Sequence, residues 1–141
     1  MKFLALLAAF ATGALAQTIA IGYPTNGTSI SAGTNTVEVD RPDTLTGSQE
    51  IAIVIAIVPC NADGSCPNPV DRLGTVLYTG SFDPEFPAFP APRNVPQQNF
   101  TVTIPDSLSG EKALLSVVHF SLVGASPQPL FEIKDVTVNV E

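Results

Sequence analysis

The 141-residue sequence has no tryptophan, one histidine, two tyrosines, two cysteines and only six basic residues. Each shortage excludes something. His119 would have to serve in any catalytic triad or imidazole metal site, yet it lies inside VVHFSLV, whereas catalytic groups are usually carried on loops at the ends of elements. Its expected role is a ring packed on a strand face. Two cysteines and one distant histidine cannot complete a structural zinc site, and NADGSC holds too few carboxylates for calcium. No metal and no cofactor are expected. Thirteen acidic residues against six basic ones give a net charge of −7, with no basic stripe to neutralise phosphates, so nucleic acid is excluded as a natural partner. The sequence also has no Gly-x-Ser-x-Gly elbow, His-Glu-x-x-His or phosphate-cradling glycine loop. The remaining enzymatic route is an acid pair, for which Asp83 and Glu85 would share a face if extended. With thirteen acids on a small surface such pairs arise by chance, and no tryptophan lines a glycan cleft, so no catalytic residue is expected.

Residues 1–16, MKFLALLAAFATGALA, carry one positive charge at Lys2, an apolar run and the small-residue pattern Ala14-Leu15-Ala16, the layout of a secretory signal peptide. The run is broken at Thr12-Gly13 and is shorter than the roughly 18 apolar residues of a spanning helix, so no membrane insertion is expected. Cleavage would leave residues 17–141 as one domain beginning at Gln17, with five basic residues against thirteen acidic and a net charge of −8. The polar tail FEIKDVTVNVE carries no lipid-anchor signal. The expected localisation is extracellular.

Export favours a disulfide between Cys60 and Cys66 across the turn NADGS. A loop this short contributes roughly 2 kcal/mol by chain entropy, which braces locally rather than holding the fold together. Export also gives meaning to two N-glycosylation sequons, at Asn26 and Asn99.

Beyond the leader no apolar helical period persists for ten residues. The chain reads as strands instead. NTVEVDR and QNFTVTIP alternate, pointing Val37, Val39, Phe100, Val102 and Ile104 inward, and DVTVNVE does the same with its valines. EIAIVIAIVPC and KALLSVVHFSLVG are apolar throughout, which predicts strands covered on both faces. With QTIAIGY and LGTVLYTG there are seven strands, joined by turn-rich connectors such as PTNGTSISAG. The predicted fold is an antiparallel β-sandwich of the immunoglobulin or fibronectin type, with a jelly roll or small barrel as alternatives.

The connector SFDPEFPAFPAPRNVPQQ holds five prolines and three phenylalanines in eighteen residues. Connectors this long are uncommon in a compact domain, and the aromatic rings oppose a solvated spacer. It is expected to be an ordered loop lying over an edge or face of the sandwich, since prolines cannot donate to a further strand. Phe82, Phe86, Phe89 and Arg93 are its candidate contact residues.

The segments QTIAIGYPTNGTSISAGTNTVEVDRPDTLTGSQEIAIVIAI, GSCP, LGTVLYTGSFDPEF, QNFTVTIP and LSVVHFSLVG together resemble the fungal necrosis-inducing secreted protein family. The framework is centred on VEVDRPDTLTGSQE and VVHFSLVG. The resemblance implies an effector that binds plant immune receptor-like kinases, inhibits them and so suppresses pattern-triggered immunity, with no catalytic activity. It assigns no contact residues. The alternative from another class is an extracellular wall-associated or glycan-binding sandwich without an immune role.

Overall fold

A computed structural model of the chain describes residues 18–43, 46–89 and 91–141, so the expected leader at 1–16 lies outside the described residues. All seven segments read as strands form strands, and an eighth appears inside the connector PTNGTSISAG. In chain order they are β1 Ala20–Tyr23, β2 Thr28–Ile30, β3 Gly33–Asp40, β4 Ser48–Pro59, β5 Thr75–Gly80, β6 Gln97–Ile104, β7 Lys112–Val123 and β8 Gln128–Val140. Among the described residues the sole helical turn is a 3-10 turn at Asp106–Leu108, and none is long and apolar enough to cross a membrane.

Two sheets stack as a sandwich, one of three strands in the order β1-β3-β6 and one of five in the order β2-β8-β7-β4-β5. All pairings are antiparallel except β2 with β8, which is parallel. That departure from the purely antiparallel expectation has a local cause. Gly27, at φ +82°, turns the chain without steric cost, and Asn26 Oδ1 accepts hydrogen bonds from Thr137 N at 2.9 Å and Thr137 Oγ1 at 2.8 Å. The three following residues are thereby laid along Val138–Val140, and Ile30 enters the core.

The core lies between the sheets and follows the alternation. Val37 and Val39 of β3 and Phe100, Val102 and Ile104 of β6 face Ile53, Ile55, Ile57, Leu115, Val117 and Val138 of the other layer. Each fully buried aliphatic side chain of this kind stabilises by about 1.5–3 kcal/mol relative to exposure. Coverage of β4 on both faces is confined to its second half. Ala56 and Val58, on the face opposite the core, are fully buried, and a Cβ at Gly74 would collide with Ile57 O and Val58, so the returning chain lies against that face. Ile51, in the first half, is exposed instead.

The Pro/Phe-rich connector covers an edge. Glu85 and Gln97 exchange backbone hydrogen bonds of 3.1 and 2.9 Å, which caps the outer side of β6, the terminal strand of the smaller sheet. The disulfide Cys60–Cys66 forms at the opposite end of β4.

Candidate functional site

The polar centre of the sandwich begins with a bulge. Between Glu50 and Ala52 the pairing of β4 with β7 slips by one residue, so Ile51 turns outward and Glu50 turns inward beside His119. Directly across the β7–β8 ladder His119 is paired with Glu132, so three adjacent strands place carboxylate, imidazole and carboxylate in one inward-facing row. His119 Nδ1 lies 2.9 Å from Glu132 Oε1, and Nε2 is hydrogen-bonded to Glu50 Oε2. Arg41, in the connector after β3, donates from Nε to Glu50 Oε1 at 3.1 Å and from its terminal nitrogen to Ser48 Oγ at 3.0 Å. Ser48 Oγ donates to the same Glu50 oxygen at 2.8 Å, and the Ile19 backbone N–H donates to Glu132 Oε1 at 2.9 Å.

The electrostatics follow from enclosure. His119 has no exposed surface, Arg41 is 5% exposed, and the two glutamate side chains retain only 12% and 10%. Burial alone would pull the His119 pKa down, but hydrogen bonds to Glu132 and Glu50, and the charges of both, outweigh it and hold it above the ordinary 6.5. Burial likewise opposes the charged form of Glu50. Hydrogen bonds from His119 and Ser48 and the charges of His119 and Arg41 prevail and hold its pKa below the ordinary 4.5. An imidazolium donating through both nitrogens reaches both carboxylates, whereas a neutral ring can donate to one alone; Glu132 Oε2 stays buried without a hydrogen-bond partner. Both Glu50 oxygens are engaged and the ring is sealed from solvent, so the row cross-links charges across three neighbouring strands of the larger sheet.

Above this row lies a groove of about 760 Å³ between the β3–β4 connector and the Pro/Phe loop. Arg41 and Glu50 line it, with Asp43, Asp83, Glu85 and Phe86 around them. The acid pair Asp83 and Glu85 is exposed at this rim. Among the described residues no group of three or more histidine, cysteine or acidic side chains could hold a metal ion.

The four candidate contact residues part company. Phe82 is 1% exposed and packs edge-on against His119 with ring centroids 5.5 Å apart, so it anchors the loop and is not available to a partner. Phe86 is 54% and Phe89 95% exposed. Arg93 ties the far limb down, donating to Asp40 Oδ2 at 2.6 Å and to Glu38 Oε1. Gly22 makes this possible, because a Cβ there would collide with Glu38, Arg93 and Asp40. Asp40, whose place next to the inward Val39 would turn it outward in a regular strand, is thereby buried. Asn26 and Asn99 both lie exposed, on the turn before β2 and in β6.

Sequence reading missed Arg41, Glu50 and Glu132, and took His119 for a lone packed ring. The usable signal was the lone histidine in an apolar strand, which needs polar partners once buried. Three of the four residues lie in VEVDRPDTLTGSQE and VVHFSLVG, the segments on which the resemblance centres, and the fold brings those segments together here.

Among solved structures the chain is similar to a cellulose-active polysaccharide monooxygenase from M. thermophila, at 15% identity with a TM-score of 0.45 over 82% of this chain. It spans 54% of that protein's length. No curated protein matches the chain. The sequence pattern of the Nis1 family matches residues 14–139, nearly the whole length, and the chain belongs to that family.

Proposed function

We propose that this chain is a non-enzymatic, effector-like interaction protein that acts outside the producing cell by occupying the surface of a partner protein. Membership of the Nis1 family supports the effector-like role. The observation that carries the contact surface is Phe89, 95% exposed, beside the half-exposed Phe86 on a loop fastened at Phe82 and Arg93. Aromatic side chains displayed on a pre-ordered loop contribute binding energy without the cost of ordering the loop on contact. The leader-like residues 1–16 and the Cys60–Cys66 disulfide support export. The partner class, receptor-like kinases of plant immunity, follows from the family resemblance.

Immobilised mature protein is offered receptor-kinase domains in one arm and chitin, glucan and cellulose in the other. Kinase capture that falls at least about tenfold when Phe86 and Phe89 are both changed to alanine is the expected result, equivalent to about 1.4 kcal/mol of contact energy. Undiminished capture by the folded double variant removes the loop from the contact. Retention on a wall polymer without kinase capture replaces the reading by the glycan-binding alternative.

A further inference from the structure

The two ends of the Pro/Phe loop rest on the buried charged row. At its start, Phe82 lies edge-on to the His119 ring at 5.5 Å. At its end, the Pro96 carbonyl accepts a hydrogen bond of 2.7 Å from the backbone N–H of Arg41, whose guanidinium is held by Glu50. Glu50 in turn is held by His119. The ring meets charge from two directions, Glu50 of β4 and Glu132 of β8. Arg41 reaches it only through Glu50, and the loop contributes the uncharged Phe82.

We propose that the Glu50–His119–Glu132 row is a proton-controlled clamp on the Pro/Phe loop. With His119 charged, two cations face two carboxylates and every ring N–H has an acceptor. When the ring loses its proton, one nitrogen turns a lone pair toward a carboxylate inside the sandwich, and one cation is left against two carboxylates. Glu50 is the member that can respond. It lines the groove and keeps a path to water, while Glu132 is held by the Ile19 N–H as well as by the ring. Deprotonation itself takes the charge from the ring against which Phe82 lies, and when Glu50 swings into the groove Arg41 loses its carboxylate, which loosens both ends of the loop together. The clamp is closed below the raised pKa of His119 and opens as pH rises through it.

Because His119 is the only histidine, its ring resonances report the switch without ambiguity. The mature secreted protein is titrated by NMR while hydrogen exchange is followed at loop amides from Glu85 to Gln97, corrected for the intrinsic pH dependence of exchange. A ring midpoint above 6.5 is expected, with loop exchange rising about tenfold per pH unit beyond that midpoint, as linkage to one proton requires. Glu50→Gln, which keeps shape and removes charge, is expected to move both midpoints downward by the same amount. A ring that titrates while loop exchange stays flat overturns the clamp, as does a loop transition that Glu50→Gln leaves in place. The wild-type titration decides the matter even if the variant fails to fold. The biological weight of the clamp rests on the loop being the contact surface, and the two can fail separately. A loop that opens with pH while kinase capture stays constant keeps the clamp and removes the loop from the contact.

Discussion

The two halves of β4 bury opposite chemistry although they share one alternating pattern. From Ile53 to Ile57 every second residue, each an isoleucine, enters the core, as a period of two requires. Continued backward, the same period would put Ile51 inside and Glu50 outside. The one-residue slip at Ile51 reverses both, and the interior at that end is built from Arg41, Glu50, His119 and Glu132. Apolar packing is non-directional and tolerates neighbours of similar volume, whereas a buried charge is stable only when specific partners arrive from other strands. One half of β4 therefore follows from local pattern and the other from register.

Substitutions in the two halves sharpen that contrast. The largest loss of stability is expected for Glu132→Ala, about 3–5 kcal/mol by chemical denaturation, because the remaining charges of a broken buried pair are uncompensated. Replacing Arg41 by methionine together with Glu50, His119 and Glu132 by leucine removes the whole charged set, Arg41 included because Glu50 is its ion-pair partner, and is expected to cost less than Glu132→Ala alone. A quadruple variant less stable than the single one would break the comparison, since the row would then stabilise by more than mutual pairing. Ile55→Ala in the apolar half should cost about 2–5 kcal/mol, and its cost should not follow the pH profile of the charged row, because its cross-strand neighbours, Val117 and Tyr78, are not members of that row.

The polar half alone should make stability pH-dependent. His119 has a folded pKa above 6.5, so its contribution is fully present below 6.5 and is lost as pH rises through the folded value. Glu50 has a folded pKa below 4.5, so its contribution is present above 4.5 and is lost as pH falls through the folded value. A stability maximum between those limits is expected, and Glu50→Gln should flatten the profile on both sides. Reducing Cys60–Cys66, at the far end of β4, should cost roughly 2 kcal/mol and leave the pH profile unchanged. The smallest effect belongs to Phe86→Ala with Phe89→Ala, whose exposed rings should change thermal stability by less than about 0.5 kcal/mol each.

Much of the fold was legible in the residues. Strands at Gly33–Asp40 and Gln97–Ile104 are visible because one side of each is wet and one dry, which writes a period of two into the sequence. The loop was legible as an ordered edge cover because prolines and aromatics together suit neither a strand nor a solvated chain. Strand β2 was hidden. Three residues carry no period, and their place depends on Asn26 meeting Thr137 from the far end of the chain. Coverage of Ala56 and Val58 was legible in their apolar character, while the exposure of Ile51 was not, because what crosses a sheet face is not local information.

The candidate site divides along the same line. Phe86 and Phe89 stand exposed although the rings of this connector were expected to pack, and nothing local in the sequence distinguishes them from Phe82. Phe82, in the same stretch, went to the core, since the groove it closes exists only after β4, β7 and the loop have assembled. By itself the sequence determined an all-β chain, a short disulfide loop and a net acidic surface, properties set by neighbours within a few residues. Only the tertiary structure decided that Glu50 faces inward, that Glu132 lies opposite His119 and that Arg41 closes the row. Those contacts join residues 9 to 69 positions apart, and a one-residue register slip would exchange every one of them for solvent.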